Sequence, residues 1–436
     1  MSLRSTTRPG ESLDSAVPSG VNLFDHARAL ARTHAAVLDG QAPALAPRAV
    51  VARSWQRVMD LGLPSDGSTL RDPLPRDEVR RRRAQSPLDA VIGELTQVIA
   101  AVADASQILL VVTDADGVVL WREGTSSVRR RADTLGFAEG AEWTEARVGT
   151  NAIGTALAEA APVQLFSAEH YERAQHPWYC TASPIHDPRT GRLLGVIDVS
   201  GPALTLHPAI GALVETARRL AESQLWRRHE QQLGRIRRAA APVLARVGGP
   251  ALVVDDDGWV ADSIGVLVGD RIAVPAADRV VSVPGLGLCL PEPLAHGWLV
   301  RPPVPDGCSG CVPPALLELR LDLSGEPAIE VVAGNSRWRR RLTVRHAEIF
   351  LLLHRAGPQG LTARALSRAL FGDGDHVVTV RAEISRLRRT LGALVDTRPY
   401  RLAAGTVMML DLGPAERLAD CRFVRTSTSP GVRVTA

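Results

Sequence analysis

The sequence predicts an α+β fold, because short antiparallel strand pairs alternate with amphipathic helices along most of the 436 residues. Two strand–turn–strand units, 108–121 and 251–263, each contain an Asp-Gly turn, which favours a tight hairpin. A third pattern, three helices followed by a strand pair, occupies 345–412. At about 100–200 residues per domain, the chain is long enough for two to four domains.

Seven segments follow from the changes in composition and periodicity. They are a flexible N-terminal region at 1–47, a helical extension at 48–87, a sheet-and-helix domain at 88–205, a connecting helix at 206–247, a small β-rich and PAS-like domain at 248–336, a helical domain with a strand pair at 337–412, and a tail at 413–436. Within the first segment, only 21–38 has the pattern of a helix.

The domain at 88–205 has the pattern of an antiparallel sheet with helices stacked on it. Residues 88–103 place Val91, Leu95 and Ile99 on one helical face. Strands are predicted within 108–121 and at 163–167, 179–187 and 193–201, and a long helix follows from 208 towards 238. In the β-rich domain, 316–323 and 328–334 also have the pattern of strands.

The composition excludes several classes of enzyme. All 51 basic residues of the lysine and arginine type are arginine, a bias that a GC-rich coding sequence would produce. A P-loop, a protein kinase and a pyridoxal-phosphate enzyme each need a lysine, so none of them is present. No apolar run approaches the roughly 18 residues of a membrane span, and the start lacks the apolar stretch of a secretory signal.

The five cysteines predict a protein of the reducing cytoplasm rather than a disulfide-stapled one. Cys308 and Cys311 form a CxxC pair, but a structural zinc site needs a second pair or nearby histidines. We therefore interpret 302–314 as a loop with two incidental thiols. No metal ion and no organic cofactor is predicted for this chain.

Three helices and a strand pair at 345–412 predict a winged helix-turn-helix. The helices are 345–355, 360–371 and 377–391, and the strand pair is 398–402 with 407–412. Residues 337–401 hold 14 arginines against 5 acidic residues, a difference of +9, whereas the whole chain is only +4. This concentration of positive charge is what a DNA-binding module needs in order to neutralise phosphates.

The third helix predicts where DNA would bind. Val380, Ile384, Leu387 and Leu391 share one face and are expected to pack inward. The predicted DNA contacts are small and basic residues of the outer face and of the wing: Thr379, Arg381, Ala382, Ser385, Arg386, Arg388, Arg389, Arg398 and Arg401. Tyr400 is interpreted as a core anchor. The alternative is a basic domain that binds a protein partner.

The two halves of the chain resemble bacterial transcriptional regulators. Residues 344–349 and 376–389 resemble the C-terminal winged helix of actinobacterial GAF-domain regulators. The sensory half, 48–240, resembles the acetoin and glycerol-metabolism regulators, on the motifs Arg53-Ser-Trp-Gln-Arg, Val148-Gly-Thr-Asn-Ala-Ile-Gly-Thr-Ala-Leu, Glu169-His-Tyr, Trp178-Tyr-Cys-Thr-Ala-Ser-Pro-Ile-His-Asp-Pro and Leu194-Gly-Val-Ile-Asp-Val-Ser-Gly. Such activators usually carry a sigma-54 ATPase, which a chain without lysine does not have. The resemblance thus implies a one-component regulator, and it leaves open whether this regulator activates or represses transcription.

The resemblance implies a GAF domain that binds a small-molecule effector. Its candidate pocket residues are polar or aromatic: Trp143, Thr150, Asn151, His170, His176, Trp178, Cys180 and Ser183. Each also has a structural interpretation, such as Asn151 as a helix cap or Trp178 as core. The expected partners are double-stranded DNA, the effector, a second copy of the chain and RNA polymerase.

Two further interpretations of the sensory half stay open. His170, His176, Cys180 and His186 are potential metal ligands, although their spacing does not match a compact zinc motif. A redox-active GAF reductase is the enzyme alternative, and it would depend on Cys180. The homodimer is predicted from the helix after 208, where Ile210, Leu213, Ala217 and Leu220 begin a heptad-like seam.

Overall fold

The computed structural model describes residues 14–67, 72–303, 317–333 and 336–433, and it divides into two compact units, Met1–His229 and Glu230–Ala436. The predicted loop with Cys308 and Cys311 lies outside the described residues. Within the described ranges, no helix has both the length and the apolar character needed to cross a membrane.

The first unit is a five-stranded antiparallel sheet with helices, as the strand pattern predicts. The sheet has the order β2-β1-β5-β4-β3. Its strands are β1 Leu109–Asp114, β2 Val119–Gly124, β3 Val163–Phe166, β4 Trp178–His186 and β5 Leu193–Pro202. Its helices are α1 Leu23–Leu38, α2 Ala49–Asp60, α3 Arg76–Gln85, α4 Ile92–Ser106, α5 Ser126–Asp133, α6 Glu145–Val148, α7 Ala152–Glu159 and α8 Ile210–Leu244, the last of which ends in the second unit.

Both faces of this sheet are covered, so its strands are largely apolar on both sides. Leu110, Ile197 and Val199 belong to one buried cluster, which also includes residues of α4 and α8. Val111 and Val196 belong to the other cluster, which includes residues of α2, α5 and α7. Because side chains alternate along a strand, the two faces can be assigned residue by residue.

The described part of the N-terminal region is ordered by helix α1, where the sequence predicts flexibility over 1–47. The Asn22 side chain caps this helix by accepting hydrogen bonds from the backbone N–H groups of Phe24 and Asp25. Leu30, Thr33 and His34 are buried, so α1 packs against the unit. The polar flanks of this short helix suggested a tail, and its tertiary packing overrides that pattern.

The second unit contains two larger sheets and a helical domain. The strands β6 Ala251–Val254, β7 Val260–Ile264, β8 Val281–Val283, β9 Gly287–Pro293 and β10 Trp298–Arg301 form an antiparallel sheet of order β7-β6-β10-β9-β8. The strands β11 Leu317–Asp322, β12 Ala328–Ala333, β13 Ser336–Arg341 and β16 Thr406–Asp411 form the second sheet, and β14 Val395–Thr397 pairs with β15 Tyr400–Leu402. The helices are α9 Val344–Ala356, α10 Ala363–Phe371, α11 Val377–Leu391, α12 Arg422–Thr426 and α13 Pro430–Arg433.

The sheet β13-β12-β11-β16 belongs to the core of the helical domain, although the sequence analysis assigned most of it to the domain at 248–336. Leu319 and Ile329 share one buried cluster with Ile349 and Leu387 of the helices. The boundary expected between 336 and 337 therefore falls inside β13. The pattern of a strand predicts its local structure, but it does not reveal which core its apolar face joins.

The strand pairing of the predicted wing is wrong. The sequence pattern predicts a pair formed by 398–402 and 407–412, whereas β15 pairs with β14 and β16 pairs in parallel with β11. Met408 of β16 lies opposite Leu319. This parallel partner is distant in the sequence, so neighbouring turn residues give no information about it.

The segment expected to be a tail, 413–436, folds onto the helical domain over its described part. Cys421, Phe423, Val424 and Val432 are buried in the same cluster as α9–α11. The Ser427 hydroxyl donates a hydrogen bond to Glu348, whose carboxylate also pairs with Arg345 at 3.0 Å. The segment is therefore part of the core.

We predict that Phe423→Ala lowers the free energy of unfolding by about 3 kcal/mol, because it removes a buried aromatic side chain and leaves a cavity. Urea denaturation of the full chain measures the effect. Val407→Ala is the control, since Val407 is exposed, and we expect a change below about 0.5 kcal/mol. Equal effects for the two variants would contradict a packed C-terminal segment.

Candidate functional site

Helix α11 has the two-sided surface that its sequence predicts. Val380, Ile384, Leu387 and Leu391 are buried, which confirms the predicted inner face. Tyr400 is also buried, as predicted for a core anchor. The outer face carries small and basic residues that are exposed: Thr379, Arg381, Ala382, Ser385, Arg386 and Arg389. Val378, which was not predicted as a contact, is 78% exposed beside them.

The basic residues predicted to contact DNA differ in the hydrogen bonds and ion pairs that they form within the protein. Arg388 is half-buried and donates a hydrogen bond to the Val395 carbonyl. Arg401 pairs with Asp396 at 3.1 Å and donates to the Pro358 carbonyl. These two arginines brace α11 and the β14–β15 hairpin, so they are poorly placed for contacts outside the chain.

Arg381, Arg389 and Arg398 are the exposed arginines of this surface that make no ion pair within the part of the chain that the structure describes. Arg386 is exposed too, but it pairs with Glu383 at 2.6 Å. We call Arg381, Arg389 and Arg398 the unpaired arginines of the α11 surface.

The charge count of 337–401 overstates the free positive charge, because the arginines of β13 are neutralised by their neighbours. Arg337, Arg339, Arg340 and Arg341 pair with Glu330, Asp322, Asp278 and Glu326, respectively, at 2.5–2.9 Å. All four acids lie before residue 337 and were not counted with them. Among the described residues of this range, the exposed arginines without an ion pair therefore lie on α9, α10, α11 and the hairpin rather than on β13.

In the first unit, the Arg53-Ser-Trp-Gln-Arg motif holds α2 against the sheet domain. Ser54 Oγ donates to Glu145 at 2.5 Å and lies 2.7 Å from Thr150 Oγ1. Arg57 donates two hydrogen bonds to Glu145, at 2.7 and 2.8 Å. The Trp55 indole N–H donates to the Glu169 carbonyl at 3.0 Å. Thr150, a predicted pocket residue, is thus a member of this docking network.

We predict that Glu145→Ala destabilises the full chain by about 2 kcal/mol, since it removes the carboxylate that Ser54 donates to and leaves Arg57 with Glu159 as its carboxylate partner. The figure is reduced for the partial exposure of Arg57. Glu142→Ala is the matched control, because Glu142 pairs with Arg147 nearer the surface, and we expect less than about 1 kcal/mol. A thermal melt compares them, and equal shifts would refute the docking role.

Three of the predicted pocket residues have structural roles. Asn151 caps α7, with its Oδ1 accepting from the Gly154 N–H and its Nδ2 donating to the Gly149 carbonyl, both at 2.9 Å. Trp143 packs on Phe137 with ring centroids 4.0 Å apart. Trp178 is buried in the core, and the Arg131 guanidinium lies 5.4 Å from its ring centroid.

Ser183 lies on the other face of the sheet from Cys180. Along β4, Cys180 and Ala182 contact the cluster that includes α7. Ser183 alternates with them and pairs across the strands with Ile197, which belongs to the cluster that includes α8. One pocket on one face cannot be lined by both residues.

The half-buried His176 contacts the buried His34, a residue of α1 that was not predicted, and His170 is fully buried six residues before His176. The rings of His34 and His176 are 4.8 Å apart, and His170 Nδ1 lies 2.9 Å from the Ser167 carbonyl. Burial lowers the pKa of His170 to about 4 and that of His176 to about 3, so both are neutral at pH 7. Nothing in the sequence around His34 indicates this long-range contact.

The four residues considered as metal ligands do not come together. His186 ends β4, six residues beyond Cys180, and lies 4.0 Å from Glu222. At about 3.3 Å per residue the two positions are about 20 Å apart. Among the described residues, no group of three or more histidine, cysteine or acidic side chains is arranged to hold a metal ion.

Two buried polar residues on the face of Cys180 were not predicted. Asp198 Oδ2 accepts a hydrogen bond from Ser200 Oγ at 2.6 Å, and Ser200 Oγ lies 3.1 Å from Cys180 Sγ. Burial raises the pKa of Asp198 to about 7 and raises the pKa of the Cys180 thiol well above its ordinary value. The signal was in the sequence, because Asp-Val-Ser puts two polar residues on one face of an otherwise apolar strand.

A surface cleft of about 460 Å³ is lined by residues that are close in sequence to some of the predicted pocket residues. Its lining is Leu63, Pro64, Gly67, Asp72, Glu142, Arg147, Val148, Gly149, Tyr171 and Glu172. The cleft reaches Gly149, immediately before Thr150, and Tyr171, immediately after His170. None of the eight predicted pocket residues lines it.

Comparison with known proteins places the chain among regulators. Residues 29–224 match the family model described as the MimR N-terminal domain. An uncharacterised 47.3 kDa protein of the thcA 5′ region in Rhodococcus erythropolis is 30% identical over 375 residues, which cover 86% of this chain and 67% of that protein.

Two relatives are named as transcriptional activators. The acetoin dehydrogenase operon activator AcoR of Bacillus subtilis is 46% identical over 111 residues, covering 26% of this chain and 18% of AcoR. The propane 2-monooxygenase operon activator MimR of Mycolicibacterium smegmatis is 33% identical over 186 residues, covering 42% of this chain and 31% of MimR. The chain thus spans less than a third of either activator.

Proposed function

We propose, since this chain belongs to the family of the 47.3 kDa Rhodococcus erythropolis protein, that it is a ligand-responsive, one-component transcriptional regulator that binds double-stranded DNA. The matched MimR N-terminal domain and the named activators support a role in transcription regulation. The observation that carries DNA binding is the outer face of α11, where arginines without ion pairs stand among small exposed side chains.

We assign the DNA contacts by exposure and by freedom from internal pairing. Arg381, Arg389 and Arg398 would contact phosphates or guanine edges, for which arginine is well suited. Thr379, Ala382 and Ser385 leave room for the bases, and the exposed Val378 adds an apolar group that suits a thymine methyl. Arg388 and Arg401 act by positioning α11 and the hairpin. Arg386 would have to break its ion pair with Glu383 in order to contact DNA.

The sensory half is proposed to bind a small-molecule effector and to signal through α8. The chain would act in the cytoplasm, and RNA polymerase is the expected partner of an activator. The homodimer stays a proposal, and fewer residues of α8 are available to contact a partner helix than the sequence suggested. Ile210 and Ala217 pack inside the first unit, so Leu213 and Leu220, which are only half-buried, are the residues left for a partner helix.

No catalytic role is proposed. The reductase alternative needs a reactive Cys180 thiolate, and the raised pKa of this thiol keeps it protonated at pH 7. The remaining alternative, a basic domain that binds a protein partner, makes different predictions for salt and DNA, so one experiment separates the two.

The test is the binding of the full chain to DNA upstream of its own gene at several salt concentrations. If the three unpaired arginines contact phosphates, the affinity falls with a log–log slope of about −3 for each chain bound. Fluorescence anisotropy with a labelled duplex measures this slope. Absence of binding, or binding that does not change with salt, would favour the protein-binding alternative.

A further inference from the structure

One large apolar side chain stands on the outer face of α11. At about 100° per residue, Val378 lies about 160° around the helix from the buried Val380, so it points away from the core. Val378 is 78% exposed, whereas the other large apolar side chains of this helix are buried or half-buried. The outer face of α11 thus presents an apolar group to its binding partner.

Folding stability does not account for a valine at this position. An exposed side chain adds little apolar burial to the core, and Val378 is the second residue of α11, where a smaller side chain would leave no cavity. Valine is also a weaker helix former than alanine, because its χ1 rotation is restricted in a helix. A contact outside the chain gives this side chain a role.

The side chains around Val378 indicate that DNA is the partner. Ser385 and Arg389 are exposed and lie within about 20° of Val378 around the helix. Arg381, three residues along, is exposed as well, and neither arginine makes an ion pair within the part of the chain that the structure describes. Positive charge that is not neutralised within the protein complements the phosphates that border a DNA groove. Val378 would therefore face the groove between them.

The chemistry of the groove selects the group that Val378 would meet. An α-helix fits the major groove, which is about 12 Å wide, whereas the minor groove is about 6 Å wide. The base edges in the major groove are hydrogen-bond donors and acceptors, and thymine adds the methyl group on its C5 atom. A valine against a donor or acceptor would remove water without replacing its hydrogen bond, which is unfavourable. A valine against the methyl group buries apolar surface on both sides.

We propose that Val378 contacts the C5 methyl group of a thymine and thereby selects DNA with thymine at that position. The proposal rests on the proposed function, because it names the base chemistry that the same surface distinguishes. Valine has no hydrogen-bonding group in its side chain, so the methyl group of thymine, and not its O4 acceptor, decides this contact. Uracil, which differs from thymine by the absence of this methyl group, is therefore the base that the contact disfavours.

The experiment compares two copies of the DNA upstream of the gene, one made with thymine and the other with uracil at every thymine position. The sequence of the binding site need not be known, since all thymine methyl groups are removed together. Fluorescence anisotropy measures the affinity of the full chain for both duplexes at one salt concentration. We expect the wild type to bind the uracil duplex about three- to tenfold more weakly.

The readout for each variant is the ratio of its affinities for the thymine and uracil duplexes, because an effect of uracil on the shape of the DNA acts on all proteins alike. Val378→Ser removes both γ-methyl groups, and we expect its ratio to be below about twofold. Val378→Thr returns one γ-methyl group, and we expect a ratio between those of the serine variant and the wild type. Val407→Ser is the matched control, since Val407 is an exposed valine on β16, and it should keep the wild-type ratio.

The proposal is overturned if the wild type binds both duplexes equally, or if Val378→Ser keeps the wild-type ratio. It is also overturned if Val407→Ser loses the ratio as Val378→Ser does. In each of these cases DNA binding itself persists, so the proposed function survives. Absence of wild-type binding to the thymine duplex at every salt concentration would instead end the proposed function, and this proposal with it.

Discussion

Replacing Arg381 and Arg389 together by alanine is expected to weaken the binding of upstream DNA by about 100- to 1,000-fold, at about 1–3 kcal/mol for each lost contact. Both side chains are exposed on α11 and make no ion pair within the described ranges, so the double variant should fold as the wild type does. Fluorescence anisotropy at one fixed salt concentration measures the affinity, and circular dichroism confirms the fold.

The matched control for this experiment removes the same charge from β13. Arg337→Ala combined with Arg339→Ala deletes two exposed arginines that are already paired with Glu330 and Asp322. We expect less than about a threefold loss of affinity, because the acids near them neutralise their field. If both double variants lose DNA equally, binding depends on net charge alone and α11 is not the contact surface.

Replacing Asp198 by asparagine is expected to change how stability depends on pH. The pKa of this carboxyl rises from 3.8 in the unfolded chain to about 7 in the folded one, so the folded state binds more protons between these values. Wild-type stability contributed by the protonated acid is therefore complete below pH 4 and is lost as the pH rises through 7. A shift of about three pKa units corresponds to about 4 kcal/mol.

The asparagine variant lacks this titration, so the difference in unfolding free energy between variant and wild type should grow in favour of the variant from pH 4 to pH 7 and level above it. Urea denaturation at several pH values gives the difference curve. The other acids titrate alike in both proteins and cancel. A difference in unfolding free energy that does not change between pH 4 and pH 7 would contradict a buried Asp198 with a raised pKa.

Local patterns predicted the parts of this molecule that depend on local spacing. The inner face of α11 follows from the helical period, and Val380, Ile384 and Leu387 are all buried as expected. The exposed Arg381 and Arg389 follow from the same period. The interactions of Arg388 and Arg401 within the protein do not follow from this period, because their partners are set by the position of the β14–β15 hairpin.

The sensory domain shows where sequence reasoning stopped short. Cys180 and Ser183 were chosen for their polarity, although an odd spacing on one strand puts them on opposite faces. The same parity would have selected Asp198 and Ser200 together. His34 was beyond reach, since its contact with His176 joins segments that are distant in the sequence.

The parallel pairing of β11 with β16 has a consequence for synthesis on the ribosome. Leu319 is made long before its partner Met408, and all three helices of the α11 domain lie between them. Until β16 emerges, the edge of β11 is an unpaired strand, which is prone to pair with other chains. Closing so long a loop is also slow compared with forming helices. The helical domain therefore completes this sheet only after β16 has been synthesised, and a nascent chain that stalls before residue 406 is a strong candidate for aggregation.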